Sequence, residues 1–152
     1  MLGRLEISQK RYRSLDFVYP ELKDSVLKVL DDLKDKIPGI AVFESLRMAK
    51  RQDYLYSLGR ELPGNIVTEA KGWESWHQYG LAVDFAVLKD KQWSWDFDTR
   101  LLRYSLRSHN LETISWEASH AQLTRGLSIK EAKEIHLTKS FTGVWAKVEE
   151  RK

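Results

Sequence analysis

Ser75-Trp-His77-Gln-Tyr-Gly80-Leu-Ala82-Val-Asp84-Phe-Ala-Val-Leu88 is the stretch on which the fold turns. From Leu81 onward the bulky set Leu81, Val83, Phe85 and Val87 alternates with Ala82, Asp84, Ala86 and Leu88, the period of a strand with two unlike faces. Asp84 falls on the less bulky face, where a carboxylate among apolar neighbours needs a partner if it is buried. His77 lies seven residues upstream, just before the strand, so a loop can fold its imidazole back over that carboxylate.

Working outward toward the N-terminus, Pro63-Gly64-Asn65 is a turn, and Ala49 to Leu58 reads as a helix closed by Gly59. Ile40 to Glu44 is a short strand. Before it, Leu22, Val26, Val29, Leu30, Leu33 and Ile37 recur at three- and four-residue steps after Pro20, which predicts an amphipathic helix ending at Pro38-Gly39. Toward the C-terminus, Asp96 to Ser108 carries Phe97, Leu101, Leu102 and Leu106 at helical spacing, with Asp96 or Asp98 as N-cap and Asn110 as a stop. Leu111 to Trp116 and His120 to Leu123 are short strand candidates. Ser128-Ile-Lys-Glu131 matches a capping box and opens a helix through about His136, beyond which the charged tail is left unassigned. Strands and helices intermix without an internal repeat or a linker, so the expected class is α+β, a small antiparallel sheet flanked by helices in a single domain over residues 1–152.

Composition narrows the chemistry. There is no cysteine among the 152 residues, so disulfides and thiolate metal sites are excluded and any metal is bound through imidazole and carboxylate. Twenty-five basic residues against 22 acidic ones give a net charge of +3, spread without blocks of like charge. That pattern reads as a solvated mixed surface and not as a nucleic-acid footprint. No apolar run approaches the ~20 residues of a membrane span. The first ten residues contain Arg4, Glu6 and Lys10 and no secretory apolar run, so no export signal is expected there.

A second pair, Glu117-Ala-Ser-His120, sits between two strand candidates, and a tight turn there would aim both side chains at one point. His77, Asp84 and His120 then offer two nitrogens and an oxygen, a donor set suited to tetrahedral zinc with a fourth position left for water. Glu117 is the spare carboxylate that can take the water's proton and pass it to a leaving amine. Each residue alone has a plainer reading as a surface or satisfied core group; the combination is more specific than its parts. His109 and His136 lack motif partners and read as structural or surface residues. The tryptophans at 73, 76, 93, 95 and 116 read first as core and rim packing, and second as a platform for substrate.

Glu44-Ser-Leu-Arg47, Gln52, Leu55-Tyr-Ser-Leu-Gly59-Arg60, Pro63-Gly64-Asn-Ile-Val67-Thr68 and the Ser75 to Phe85 segment together resemble the VanY-type zinc peptidases of bacterial cell-wall metabolism. The likeness is greatest to the L-alanyl-D-glutamate endopeptidases of endolysin and autolysin type, with D-alanyl-D-alanine carboxypeptidases as cousins. The family pattern Ser-x-His-x-x-Gly-x-Ala-x-Asp is met at every fixed position. The resemblance implies a hedgehog/D-Ala-D-Ala peptidase-like fold with zinc on the sheet face, held by His77, Asp84 and His120. It implies Glu117 as the catalytic acid and base, Arg47 against the substrate carbonyl, and Gln52 and Ser75 lining the site. The implied partner is a peptidoglycan stem peptide, met by a monomer in the periplasm or cell wall without insertion into a membrane. A D,D- or L,D-carboxypeptidase and a non-catalytic zinc-containing wall-binding module are the alternatives.

The sequence also departs from its relatives. They carry a glycine-rich lead before the second motif, with Pro before and Phe after its histidine. Here Leu111-Glu-Thr-Ile-Ser-Trp116 replaces the lead, and Ser119 and Ala121 flank His120. An altered rim around an intact metal set is the expectation.

Overall fold

The computed structural model describes residues 9–152; residues 1–8, on which most of the expectation about an export signal falls, lie outside the described part. Five antiparallel strands form one sheet: β1 (Ile40–Glu44), β2 (Ala82–Lys89), β3 (Gln92–Ser94), β4 (Glu112–Ile114) and β5 (Glu117–Gln122), in the order β1-β2-β5-β4 with β3 also paired to β2. Helices α1 (Pro20–Leu33), α2 (Ala49–Ser57), α3 (Thr99–Ser108) and α4 (Ile129–Glu150) surround it. The expected α+β class and small antiparallel sheet are what the chain adopts. Among the described residues no helix is long and apolar enough to cross a membrane.

α1 begins with Pro20 in its first turn and buries Leu22, Val26, Val29 and Leu33, one stripe of the helix. It stops four residues short of Ile37, which is still buried below the turn that leads to β1. The stripe meets the bulky face of β2, where Val83 and Phe85 are fully buried, and Leu102 and Leu106 of α3 complete the same core. Ala82 and Ala86 on the other face are buried too, so β2 is covered on both sides, as a central strand should be.

Two elements differ from the expectation. β3 was not anticipated: it returns through Asp90 and Lys91, both at positive φ (52° and 62°), in the two-residue hairpin turn that matches strand twist. The tail beyond His136 is helical. α4 continues to Glu150, broken only at Ser140 (φ 57°, ψ −173°), because Val144 and Val148 are buried one turn apart and the Trp145 indole N–H donates to the Tyr79 carbonyl. Gly80 stands where that segment approaches: at φ 66°, an added Cβ would fall 2.9 Å from the Phe17 carbonyl oxygen. Its smallness thus serves packing against Phe17 and Trp145 more than the ligand site.

Candidate metal centre and its cleft

His77 is carried by a 3-10 turn, Trp76–Tyr79, that delivers the chain into β2. Ser75 caps the turn: its hydroxyl accepts from the His77 amide at 3.3 Å, while Gln78 Oε1 accepts from the Ser75 amide at 3.2 Å. The imidazole is almost wholly buried, 1% exposed. Its Nδ1 donates to the Ser45 carbonyl at 2.8 Å, and because a carbonyl only accepts, Nε2 is left with its lone pair facing inward. That Nε2 lies 3.1 Å from Asp84 Oδ2 but makes no hydrogen bond.

His120 comes from β5, opposite Asp84 in the β2–β5 ladder. Its Nε2 donates to Gln122 Oε1 at 2.8 Å, which turns Nδ1 toward Asp84 Oδ1 at 3.0 Å and Glu117 Oε2 at 3.2 Å. The expected tight turn over 117–120 is corrected here. The turn is earlier, at 115–116, and Glu117 to His120 lie within β5. Residues three apart on a regular strand face opposite ways, but β4 and β5 slip register: Glu112 to Ile114 spans two steps while Gln122 to Glu117 spans five. The excess chain re-aims Glu117 to the His120 side.

The ligand atoms of His77, Asp84 and His120 all lie within 4.8 Å of one another. Two imidazole lone pairs and a carboxylate therefore converge on one point in a nearly dry environment, which is unfavourable unless a cation or a proton sits between them. The bonds to the Ser45 carbonyl and the Gln122 side chain orient the rings as the outer partners of a metal site do. Burial would raise the Asp84 carboxyl, but His77 and His120 outweigh it and hold the group far below the usual carboxylate range. Burial would lower the His120 imidazole, but Asp84 and Glu117 raise it above its ordinary value. The residues fit a divalent ion: the buried Nε2 of His77 without a donor, and a donor set of two nitrogens and one oxygen, are what such an ion would satisfy.

Arg47 reaches the same point from the other side. Its Nε and Nη2 bind Glu44 Oε1 at 3.1 and 2.8 Å, Nη2 also lies 3.4 Å from Asp84 Oδ2, and Nη1 donates to Gln52 Oε1 at 2.9 Å. Four of its five N–H groups are thereby engaged, leaving one Nη1 N–H without a hydrogen-bond partner among the described residues, on a side chain that lines the cleft. Glu44, 3% exposed and bound also by Arg51 Nε at 2.6 Å, is a residue the sequence reading passed over. Burial would raise its carboxyl, but Arg47 and Arg51 hold it below its ordinary value. An acid in an apolar strand, three residues before an arginine, was the available signal.

Gln52 is fully buried and does not line the cleft. It holds Arg47 through Oε1 and the 68–70 segment through Nε2, which donates to the Ala70 carbonyl at 2.7 Å and to Thr68 Oγ1 at 3.3 Å. Ser75, Arg47, His77, Glu117 and His120 do line it, in a cleft of about 720 Å³ walled by Ile66, Val67 and Thr68 on one segment and by Ile114 and Trp116 on another. Trp76 also lines it. Trp73 stacks on His136 and Tyr79 instead, and Trp93 and Trp95 pack on Phe43, so a platform role is open only to Trp76 and Trp116. His109 pairs with Asp32 at 2.7 Å, a surface role as expected.

A small antiparallel sheet with flanking helices, a buried His–Asp–His group on one face and a spare glutamate at the mouth of a cleft are the marks of a candidate metal-dependent hydrolase. Over 82 residues the chain is 50% identical to the peptidoglycan L-alanyl-D-glutamate endopeptidase CwlK of Bacillus subtilis strain 168, a match covering 53% of this chain and 49% of that protein. The chain is thus similar to a peptidoglycan peptidase, as its motifs implied, and it spans about half the length of the curated relative it matches. No protein-family model matches the chain.

Proposed function

We propose that the protein is a zinc peptidase that hydrolyses an amide bond in peptidoglycan stem peptides, the L-alanyl-D-glutamate bond in particular. The observation that supports this most is the convergence of His77, Asp84 and His120 beside Glu117 in an open cleft. The named specificity of a relative 50% identical over half the chain favours the endopeptidase over a carboxypeptidase. On this reading the fold is hedgehog/D-Ala-D-Ala peptidase-like and the protein acts in the periplasm or cell wall, where such a substrate lies.

Zinc, when held by His77 Nε2, an Asp84 oxygen and His120 Nδ1, supplies Lewis acidity toward a carbonyl and eases ionisation of water. Glu117, with its side chain about half exposed, takes the proton of the attacking water at Oε2 and returns it to the leaving amine as the C–N bond breaks. Arg47 offers its remaining Nη1 N–H to the oxygen on which charge develops. Gln52 and Glu44 hold that guanidinium in place, and Ser75 holds the turn that bears His77. The test is mass analysis of purified peptidoglycan digested with the zinc-loaded protein. Fragments ending in L-alanine and fragments beginning with D-glutamate are expected. Release of D-alanine alone would reassign the enzyme to the carboxypeptidases, and an unchanged digest would leave only a binding module.

A further inference from the structure

Trp116 exposes 78% of its surface although it sits in the turn that precedes Glu117 and lines the cleft. Ile66 and Val67, on the other apolar segment of the cleft, expose 54% and 57%. Large apolar side chains left in water beside a polar centre mark a surface that a ligand covers. Both segments are held before a ligand arrives. Gly59, at φ 78°, lets Ile66 approach so closely that an added Cβ would fall 2.7 Å from the Ile66 nitrogen. Arg60 bonds the Thr68 carbonyl at 3.0 Å and stacks on Tyr56. On the other side, the β4–β5 hairpin that carries Trp116 at its tip is anchored at its base, where Glu112 accepts from the Thr124 amide at 2.7 Å and the Arg125 amide at 2.9 Å.

We propose that Trp116 is a substrate-gripping residue that covers the apolar carbons and main chain of the peptide, together with Ile66 and Val67, and so sets affinity and not turnover. Two preset apolar lips bind with little ordering cost, which is why they stand open without collapsing on each other. The proposal rests on reading the cleft as a peptide site. It gives a use to the indole that stands one residue before Glu117 at the rim.

The experiment measures, by calorimetry, binding of a synthetic peptide containing an L-alanyl-D-glutamyl bond to the zinc-loaded Glu117→Gln protein, with and without Trp116→Ala or Trp116→Phe, so that the peptide stays intact during the titration. Zinc content and Tm are recorded for each. Kd should weaken about tenfold in Trp116→Ala and recover mostly in Trp116→Phe. Zinc content and Tm should not move, since the side chain makes little of the core. Equal Kd with and without Trp116→Ala overturns the proposal; so does a loss of affinity accompanied by lost zinc or a lower Tm. Following hydrolysis of the same peptide separates the two readings. Binding without cleavage in the wild type breaks the peptidase and leaves the lip standing, whereas cleavage with an unaltered KM in Trp116→Ala breaks the lip alone.

Discussion

Around His77 and Asp84 nearly every polar group of the site is already bonded to protein, whereas beyond the buried His120, at Glu117 and Trp116, the chain is irregular and open to solvent. On the first side, Ser45, Gln78, Gln52, Glu44 and Arg47 form one connected network over buried residues. On the second, His120 is positioned by Gln122, Asp84 and Glu117, and Glu117 and Trp116 lie at the edge of a slipped ladder. On the proposed function, the difference separates two tasks. A metal centre needs ligands whose geometry is fixed in advance. An acid and base that must meet water, and a rim that must admit a polymer, need access.

The largest effect is expected where the halves join. Asp84 bridges both histidines, so Asp84→Asn should reduce bound zinc to about a tenth or less and remove measurable hydrolysis. Metal analysis and peptide turnover on the same preparation check this. Full zinc content in Asp84→Asn would mean that the two imidazoles suffice and that the carboxylate is not a ligand.

Glu117→Gln should act on rate alone, lowering kcat by about 10³ while zinc stays bound and Tm is unchanged. The carboxylate is exposed enough that its neutral isostere costs little in folding. If activity survives, some other group carries the proton and the open half loses its assigned role. Glu44→Gln should act first on stability, with a smaller loss of rate as Arg47 loosens. It leaves Arg47 and Arg51 without their shared buried carboxylate, a change worth about 3 kcal/mol of unfolding stability. Urea unfolding of the two variants side by side tests whether the halves divide into a stability half and a rate half.

The same division governed what the sequence revealed. Alternation in 81–88 and the spacing of Leu22, Val26, Val29 and Leu33 set β2 and α1, because the bulky positions of each pattern are the ones the core buries. The Ser75 to Asp84 motif is local, so its geometry follows from one turn and one strand. Glu117 and His120 converge only through the unequal spacing of β4 and β5, a pairing between strands that no short segment encodes. β3 was hidden for a related reason: Asp90 and Lys91 adopt positive φ without a glycine to announce it. The second segment of α4 has its signal, Val144, Trp145 and Val148, but the break at Ser140 interrupts the period that would have joined it to the first.

The smallest expected effect is a pH dependence confined to the closed half. Burial opposes ionisation of Glu44, yet Arg47 and Arg51 hold its carboxyl below its ordinary value in the folded protein. A depressed folded value means that the group's contribution to stability is complete above the unfolded value and disappears as pH falls through the folded one. The Tm difference between wild type and Glu44→Gln should therefore be widest near neutrality and shrink as pH is lowered past the usual carboxylate range, about pH 4. Measuring both proteins in chelator keeps metal release out of the comparison. A Tm gap that holds constant down to about pH 3 would show that the pair is maintained by hydrogen-bond shape and not by charge. In that case the rigidity of the closed half would have to be credited to Gln52 and Gln78, whose amides do not titrate.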